Sequence, residues 1–244
     1  MKRPWGSVLA DAMREVRPGL WYWTAPHPHW RPYDPVRKRG WDWEEAVGCV
    51  CYESQEGLVL VDPLTPRAAT TQRRTFWRAL DPEVTRRGQP VVVLLTSDRH
   101  DRSAQAVMER YVGKVGASIW APKATLEKGE AGRMACRATH TYAEGDALPG
   151  GVRAFEIAPH WYPEVALHIA PHRALVVADA LWRTPAGEVR LSGAKAAVPL
   201  RRVLDTVPVD ILFLSHGAPV FDDAHLVLAE ALERPATPQS QWGG

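Results

Sequence analysis

The segment Val91-Val92-Val93-Leu94-Leu95 is apolar throughout, with no polar residue alternating in it. A β-branched run this short is a strand, and a strand without a polar side is covered on both faces. The cover is written directly after it. Ala104, Val107, Met108 and Tyr111 stand at i, i+3, i+4 and i+7, which is one face of a helix. A further short strand is expected over 118–121, so the unit is a strand–helix–strand crossover. The chain is therefore expected to be α/β, with partly parallel sheet covered by helices.

Other segments repeat this style. Residues 19–24 read as a first strand, followed over 25–45 by a loop broken by Pro26, Pro28, Pro32 and Pro35. Residues 47–53 and 58–61 read as a hairpin joined by Ser54-Gln55-Glu56-Gly57 and ending at Asp62-Pro63. Thr65-Pro66 predicts a helix start, with Phe76, Trp77 and Leu80 on the apolar face. Residues 123–150 read as a mixture of helix and loops. Strands are expected over 152–157, 164–169, 174–178 and 211–214. Leu200, Val203, Leu204 and Val207 mark a helix, and Asp222 or Asp223 is expected to cap a last one carrying Leu228, Ala229 and Leu232. One domain over 1–244 is expected, with 1–18 an N-terminal extension and 235–244 a flexible tail.

Composition removes several functions. The net charge is only +2, and Arg37-Lys38-Arg39 and Arg86-Arg87 are short clusters without interleaved aromatics, so no nucleic-acid partner is expected. No apolar run approaches the ~20 residues that span a bilayer. No apolar stretch follows Met1-Lys2-Arg3 either, so a cytoplasmic chain without a membrane partner is expected. Three cysteines argue against a disulfide framework. Cys49 and Cys51, two apart on a strand, read as small buried side chains on one face. Of eleven tryptophans, Trp21, Trp23, Trp30, Trp41 and Trp43 fall early in the chain. The loop ones, Trp30, Trp41 and Trp43, suit a cover over a pocket, over the sheet or over a neighbouring subunit in a homodimer.

Four landmarks stand in one order. They are Val61-Asp62-Pro63, then Leu94-Leu95-Thr96 leading into Asp101-Arg102-Ser103, then Ala178-Asp179, then Leu214-Ser215-His216-Gly217. This order and spacing resemble the metallo-β-lactamase superfamily over residues 19–233. The resemblance implies an αββα fold, two mixed sheets between helices, with metals at the sheet edges. The family's second motif, Thr-His-x-His-x-Asp-His, falls on Thr96-Ser97-Asp98-Arg99-His100-Asp101-Arg102. Ser97, Arg99 and Arg102 then stand at histidine positions, Asp101 matches, and His100 is one residue out of phase. The third motif, Gly-His, falls on Ala158-Pro159-His160-Trp161, with Trp161 at the ligand position and His160 just before it. The fourth and fifth survive as Ala178-Asp179 and His216-Gly217. The resemblance thus implies a retained set of Asp101, Asp179 and His216, belonging to the second of two metal positions. The first position has almost nothing left, so two-metal hydrolysis is not expected.

Two readings of this remnant follow. In one, Asp101, Asp179 and His216, helped by His160 or His100, hold one metal ion at most: zinc, or else manganese or iron. The ion would activate water against a small ester, thioester or related carbonyl substrate, with His100 or His160 as base. In the other, no metal binds, and Arg99 and Arg102 pair with the Asp101 and Asp179 carboxylates. Arg99, Arg102, His100 and His216 would then line a pocket for an anionic small molecule, or stabilise an oxyanion. His27, in the tryptophan loop, is a candidate to enter the pocket as ligand or base, beside the plainer reading of an exposed loop histidine. Glu164 reads as a surface carboxylate at a strand edge, and Ser103 as a helix cap. His140, His168, His172 and His225 have no motif company and read as structural or exposed.

Overall fold

A computed structural model of the chain describes residues 13–34, 36, 40, 43–128, 134, 136–157 and 162–236. The first half contributes strands β1 (Arg14–Arg17), β2 (Leu20–Pro26), β3 (Ala46–Glu53), β4 (Leu58–Val61), β5 (Val91–Leu94), β6 (Ala117–Pro122) and β7 (His140–Tyr142). Its helices are α1 (Thr71–Arg87), α2 (Ala104–Tyr111) and α3 (Lys123–Lys128). The second half contributes β8 (Val152–Glu156), β9 (Val165–Ile169), β10 (Ala174–Arg183), β11 (Val189–Leu191) and β12 (Ile211–His216), with α4 (Ala197–Thr206) and α5 (Ala224–Glu233).

The strands follow the order β7-β6-β5-β4-β3-β12-β10-β9-β8, with β2 and β1 continuing from β3, and β11 from β10. Strands β4 to β7 run parallel, as do β10 and β12. The hairpin partners are antiparallel. The two halves join through β3 and β12, at the register pair His216 with Val47.

The Val91–Leu95 run shows how the layers arise. Val91, Val93 and Leu95 pack with Phe76 and Leu80 of α1 and with Val107 and Tyr111 of α2. Val92 and Leu94 face the other way and meet Val176, Ile211 and Phe213 of the second half. Strand β12 mirrors this. Ile211 and Phe213 enter the shared middle, whereas Leu212 and Leu214 pack on Leu200 and Val203 of α4 and Leu228 of α5. The period of two in each strand therefore divides its residues between an outer helix layer and the inter-sheet core. Each such side chain contributes roughly 1.5–3 kcal/mol of burial. The expected α/β arrangement of helices, two sheets and helices is what forms.

Several boundaries differ from expectation. Strand β1 lies within the expected N-terminal extension, paired with β2. Helix α1 starts at Thr71, capped by Thr70, whose side chain accepts the Arg73 amide at 3.2 Å. Thr65 does not open it, because its amide and hydroxyl are taken by the Ser103 hydroxyl at 3.0 and 3.1 Å. For the same reason Ser103, although it stands before α2, gives no side-chain cap. Asp223 precedes α5 with φ of 53° and also gives no side-chain cap. Strand β10 runs on to Arg183 and pairs there with β11. Cys49 and Cys51 are both buried on the α1 side of β3. Of the expected tail, residues 237–244 lie outside the described residues. No helix among the described residues is long and apolar enough to cross a membrane.

Candidate functional site

The parallel strands β4, β5, β10 and β12 end at one side of the sheets, where α/β proteins gather their functional groups. Asp62 follows β4 directly, with φ of 45°. Thr96 lies just past β5, and a 3₁₀ turn over Asp98–His100 comes next. Asp179 lies in β10 where its register against β12 breaks, between Val177 and Trp182. Such an irregularity re-aims a strand side chain without ending the strand. His216 is the last residue of β12.

These elements converge on one buried network. The Asp62 carboxylate accepts the Thr96 amide at 2.9 Å and the Thr96 hydroxyl at 2.6 Å. Its Oδ2 also lies 2.9 Å from His100 Nδ1. The other ring nitrogen, His100 Nε2, is 3.2 Å from Asp179 Oδ1. His216 Nε2 reaches the same oxygen at 3.0 Å. The Tyr162 hydroxyl donates to Asp179 Oδ2 at 3.0 Å. The Ser192 hydroxyl donates to the Asp179 carbonyl. The Trp43 ring packs on His216, with centroids 4.0 Å apart.

Burial makes these contacts electrostatically strong. Burial alone would raise the Asp179 carboxyl, but His100 and His216 outweigh it and hold the group well below the usual carboxylate range. Burial and the Arg102 charge oppose protonation of His100. Asp179 and Asp62 overcome both, and its pKa stands at about 9. For His216 burial wins over the Asp179 bond, so its pKa is lowered. Glu164 is pushed well up, by burial first and by Asp179 next.

His100, Asp179 and His216 each offer one ligand atom, and these atoms lie within 4.8 Å of one another. A metal with bonds of about 2.0 Å in tetrahedral geometry spaces its ligands about 3.3 Å apart. The imidazole–carboxylate separations of 3.2 and 3.0 Å are close to that spacing. The contact between His100 Nδ1 and Asp62 has the form of the second-layer bond that fixes a metal-ligating histidine. Two imidazoles and a carboxylate therefore fit one ion. Among the described residues they are the only such group of three or more, which does not extend to a two-metal centre.

The structure rearranges the expected site. Asp101 does not join Asp179 and His216: its Oδ2 accepts the Cys136 amide at 3.2 Å. His100, expected one residue out of phase, takes the inward place instead. Ser97 caps the 3₁₀ turn by accepting the Arg99 amide at 3.3 Å, and that tight turn rotates His100 inward. Asp179 takes the histidines and Tyr162 as partners in place of the expected arginine. The Arg99 guanidinium lies over the Tyr162 ring at 4.4 Å, and Arg102 reaches the Asp62 carbonyl at 3.4 Å. Asp179 is satisfied by histidines and tyrosine. His27 stands at the site's rim, half-buried, its ring 5.4 Å from Trp43. Glu164 is buried rather than on the surface, its Oε1 accepting the Ala180 amide at 3.1 Å. His160 and Trp161 lie outside the described residues, as does Trp41. Sequence reading gave no role to Tyr162, Thr96 or Asp62, although Asp62 was visible as the hairpin's end.

No family model matches the sequence. No curated protein matches it either. Solved structures do. A metallo-β-lactamase from Pontibacter korlensis aligns with a TM-score of 0.61 at 14% identity, over 91% of this chain and 99% of that one. A β-lactamase domain protein from Burkholderia ambifaria gives 0.60 at 19%, over 90% and 71%. The mono-zinc form of the FIM-1 metallo-β-lactamase from Pseudomonas aeruginosa gives 0.59 at 10%, over 91% and 94%. At these identities the likeness establishes the fold, and this chain has the metallo-β-lactamase fold.

Proposed function

We propose that the chain is a hydrolase of small esters, thioesters or related carbonyl compounds, working with one divalent ion held by His100, Asp179 and His216. Zinc suits two imidazoles and a carboxylate, and manganese or iron are the alternatives. The observation that supports this best is the convergence of three buried ligand atoms within 4.8 Å at the ends of parallel strands. That one of the similar structures is a mono-zinc form agrees with a single-ion site on this fold. When bound, the ion would acidify a water molecule and polarise the carbonyl. The chain's own groups hold the donors. Asp62, itself fixed by Thr96, orients the His100 ring. Tyr162 holds the second oxygen of Asp179, and Trp43 packs on His216.

The test is elemental analysis of protein purified without chelators or an immobilised-metal column. About one equivalent of metal, lost in His216→Ala together with hydrolysis of aryl esters, is the expected result. Protein that stays metal-free in excess zinc would sink the reading.

A second reading has its own observation. His100 lies between two carboxylates, at 2.9 and 3.2 Å, with a guanidinium beside them. On that reading the chain supplies its own cations in place of a metal, and the protein binds an anionic small molecule rather than cleaving it. Absence of metal, with anionic ligands raising the melting temperature, is the outcome that selects it.

A further inference from the structure

The two carboxylate oxygens of Asp179 are used differently. Oδ1 meets both imidazoles, at 3.2 Å from His100 Nε2 and 3.0 Å from His216 Nε2. Oδ2 bonds neither histidine and accepts the Tyr162 hydroxyl at 3.0 Å. The residue is 1% exposed, so solvent does not compete for either oxygen.

Tyr162 is placed in turn by Arg99. The tyrosine is buried, and the Arg99 guanidinium lies over its ring at 4.4 Å. A cation over an aromatic face is attracted by the ring quadrupole, most strongly where water is excluded. Arg99 is the middle residue of the 3₁₀ turn that ends in His100. One turn therefore brings an imidazole to Oδ1 and a brace to the tyrosine on Oδ2. Arg99 stands at one of the histidine positions of the family's second motif. The arginine does more than remove a ligand there, because it fixes the group that occupies the far oxygen of Asp179.

The number of donors follows from this. A carboxylate with one oxygen engaged by a hydroxyl donor offers the other oxygen alone to an ion. One oxygen and two imidazoles make three protein donors, which leaves one position of a tetrahedral zinc ion open. A carboxylate that chelates through both oxygens raises the count, and higher counts of oxygen donors suit manganese. We propose that Tyr162, braced by Arg99, is a positioning residue that holds Asp179 to a single donor oxygen, and so sets the site to four-coordination and to zinc ahead of manganese. This rests on the single-ion reading and deepens it.

Cobalt(II) is the probe, because four-coordinate cobalt absorbs strongly in the visible and five- or six-coordinate cobalt weakly. The full chain is stripped of metal, loaded with cobalt and assayed for metal content alongside its spectrum. The wild-type protein should show the strong band. Tyr162→Phe should show a weak one, because Oδ2 is buried with its donor gone and turns to the ion. Competition titrations supply the second readout. In Tyr162→Phe, zinc should weaken relative to manganese by roughly tenfold, the scale on which partners behind a ligand act. A tyrosine that only supports the fold would lower both affinities alike and leave the band in place. Arg99→Met removes the cation from the ring and should shift band and ratio in the same direction by less. Arg99→Lys keeps a cation there and should recover most of the wild-type band. If Tyr162→Phe fails to fold, Arg99→Met carries the test. A weak wild-type band, or a band or zinc-to-manganese ratio that the substitutions leave unchanged, overturns the proposal while the single-ion site stands. Protein that binds neither cobalt nor zinc removes the single-ion reading and the proposal with it.

Discussion

The two halves of the molecule build their shares of the site in different ways. Asp179 and His216 belong to strands, β10 and β12, whose neighbours Val177 and Leu214 are locked into the core against α4 and α5. Asp62, His100 and Arg102 come from turns after β4 and β5, and Asp62 and Arg102 have φ of 45° and 31°. The paired core residues on either side fix which way a strand residue faces, even at the register break that aims Asp179. A turn residue can be re-aimed by a small backbone rotation. The second half therefore supplies fixed donors, and the first half supplies the adjustable ones. Ser97, Arg99 and Arg102, the departures from the family's second motif, all lie in the adjustable half.

Asp179→Ala should have the largest effect. It removes the carboxylate on which His100, His216 and Tyr162 converge. Breaking a buried ionic contact by deleting one partner costs about 3–5 kcal/mol, which denaturant unfolding would read directly. A loss below about 1 kcal/mol would erase the contrast, because the strand-borne carboxylate would then not be the hub. Arg102→Gly should act in the opposite direction. Glycine adopts the φ of 31° without strain, so a gain of about 1 kcal/mol is expected. A destabilised Arg102→Gly protein would mean that this turn is a structural support like the strands.

The smallest effect is expected away from the site, at Asp81 on α1, which pairs with Arg110 and Tyr111 of α2. Burial raises this carboxyl, but the Arg110 and Tyr111 bonds outweigh it and the pKa is lowered. The stabilisation is then present above the unfolded value of about 3.9 and fades as the pH falls through the folded value. Asp81→Asn should cost up to about 1 kcal/mol at neutral pH, screened by solvent, and nothing in strong acid. A cost that persisted in acid would come from lost packing rather than charge.

The same contrast explains what was legible in the sequence. Asp179 and His216 each end or follow an apolar run, so their place could be read from the run itself. Asp101 and His100 exchanged places because a 3₁₀ turn lay between them and the strand, and nothing in the residue pattern fixes how such a turn faces. Glu164 read as surface because carboxylates usually are. Its bond to the Ala180 amide depends on β10, which only tertiary pairing brings near. Helix α1 began later than Thr65-Pro66 because Ser103, 38 residues away, claims the threonine. Layers, by contrast, follow from local apolar patterning, and those were readable from Val91–Leu95 alone.

His216 pairs with Val47 where the second half meets the first. The halves are held together by the shared inter-sheet core, and the one strand–strand register pair between them carries an imidazole bound to Asp179. A ligand on that imidazole is expected to change how freely this seam opens. Amide exchange along the seam would report occupancy of the site with no substrate, dye or label added.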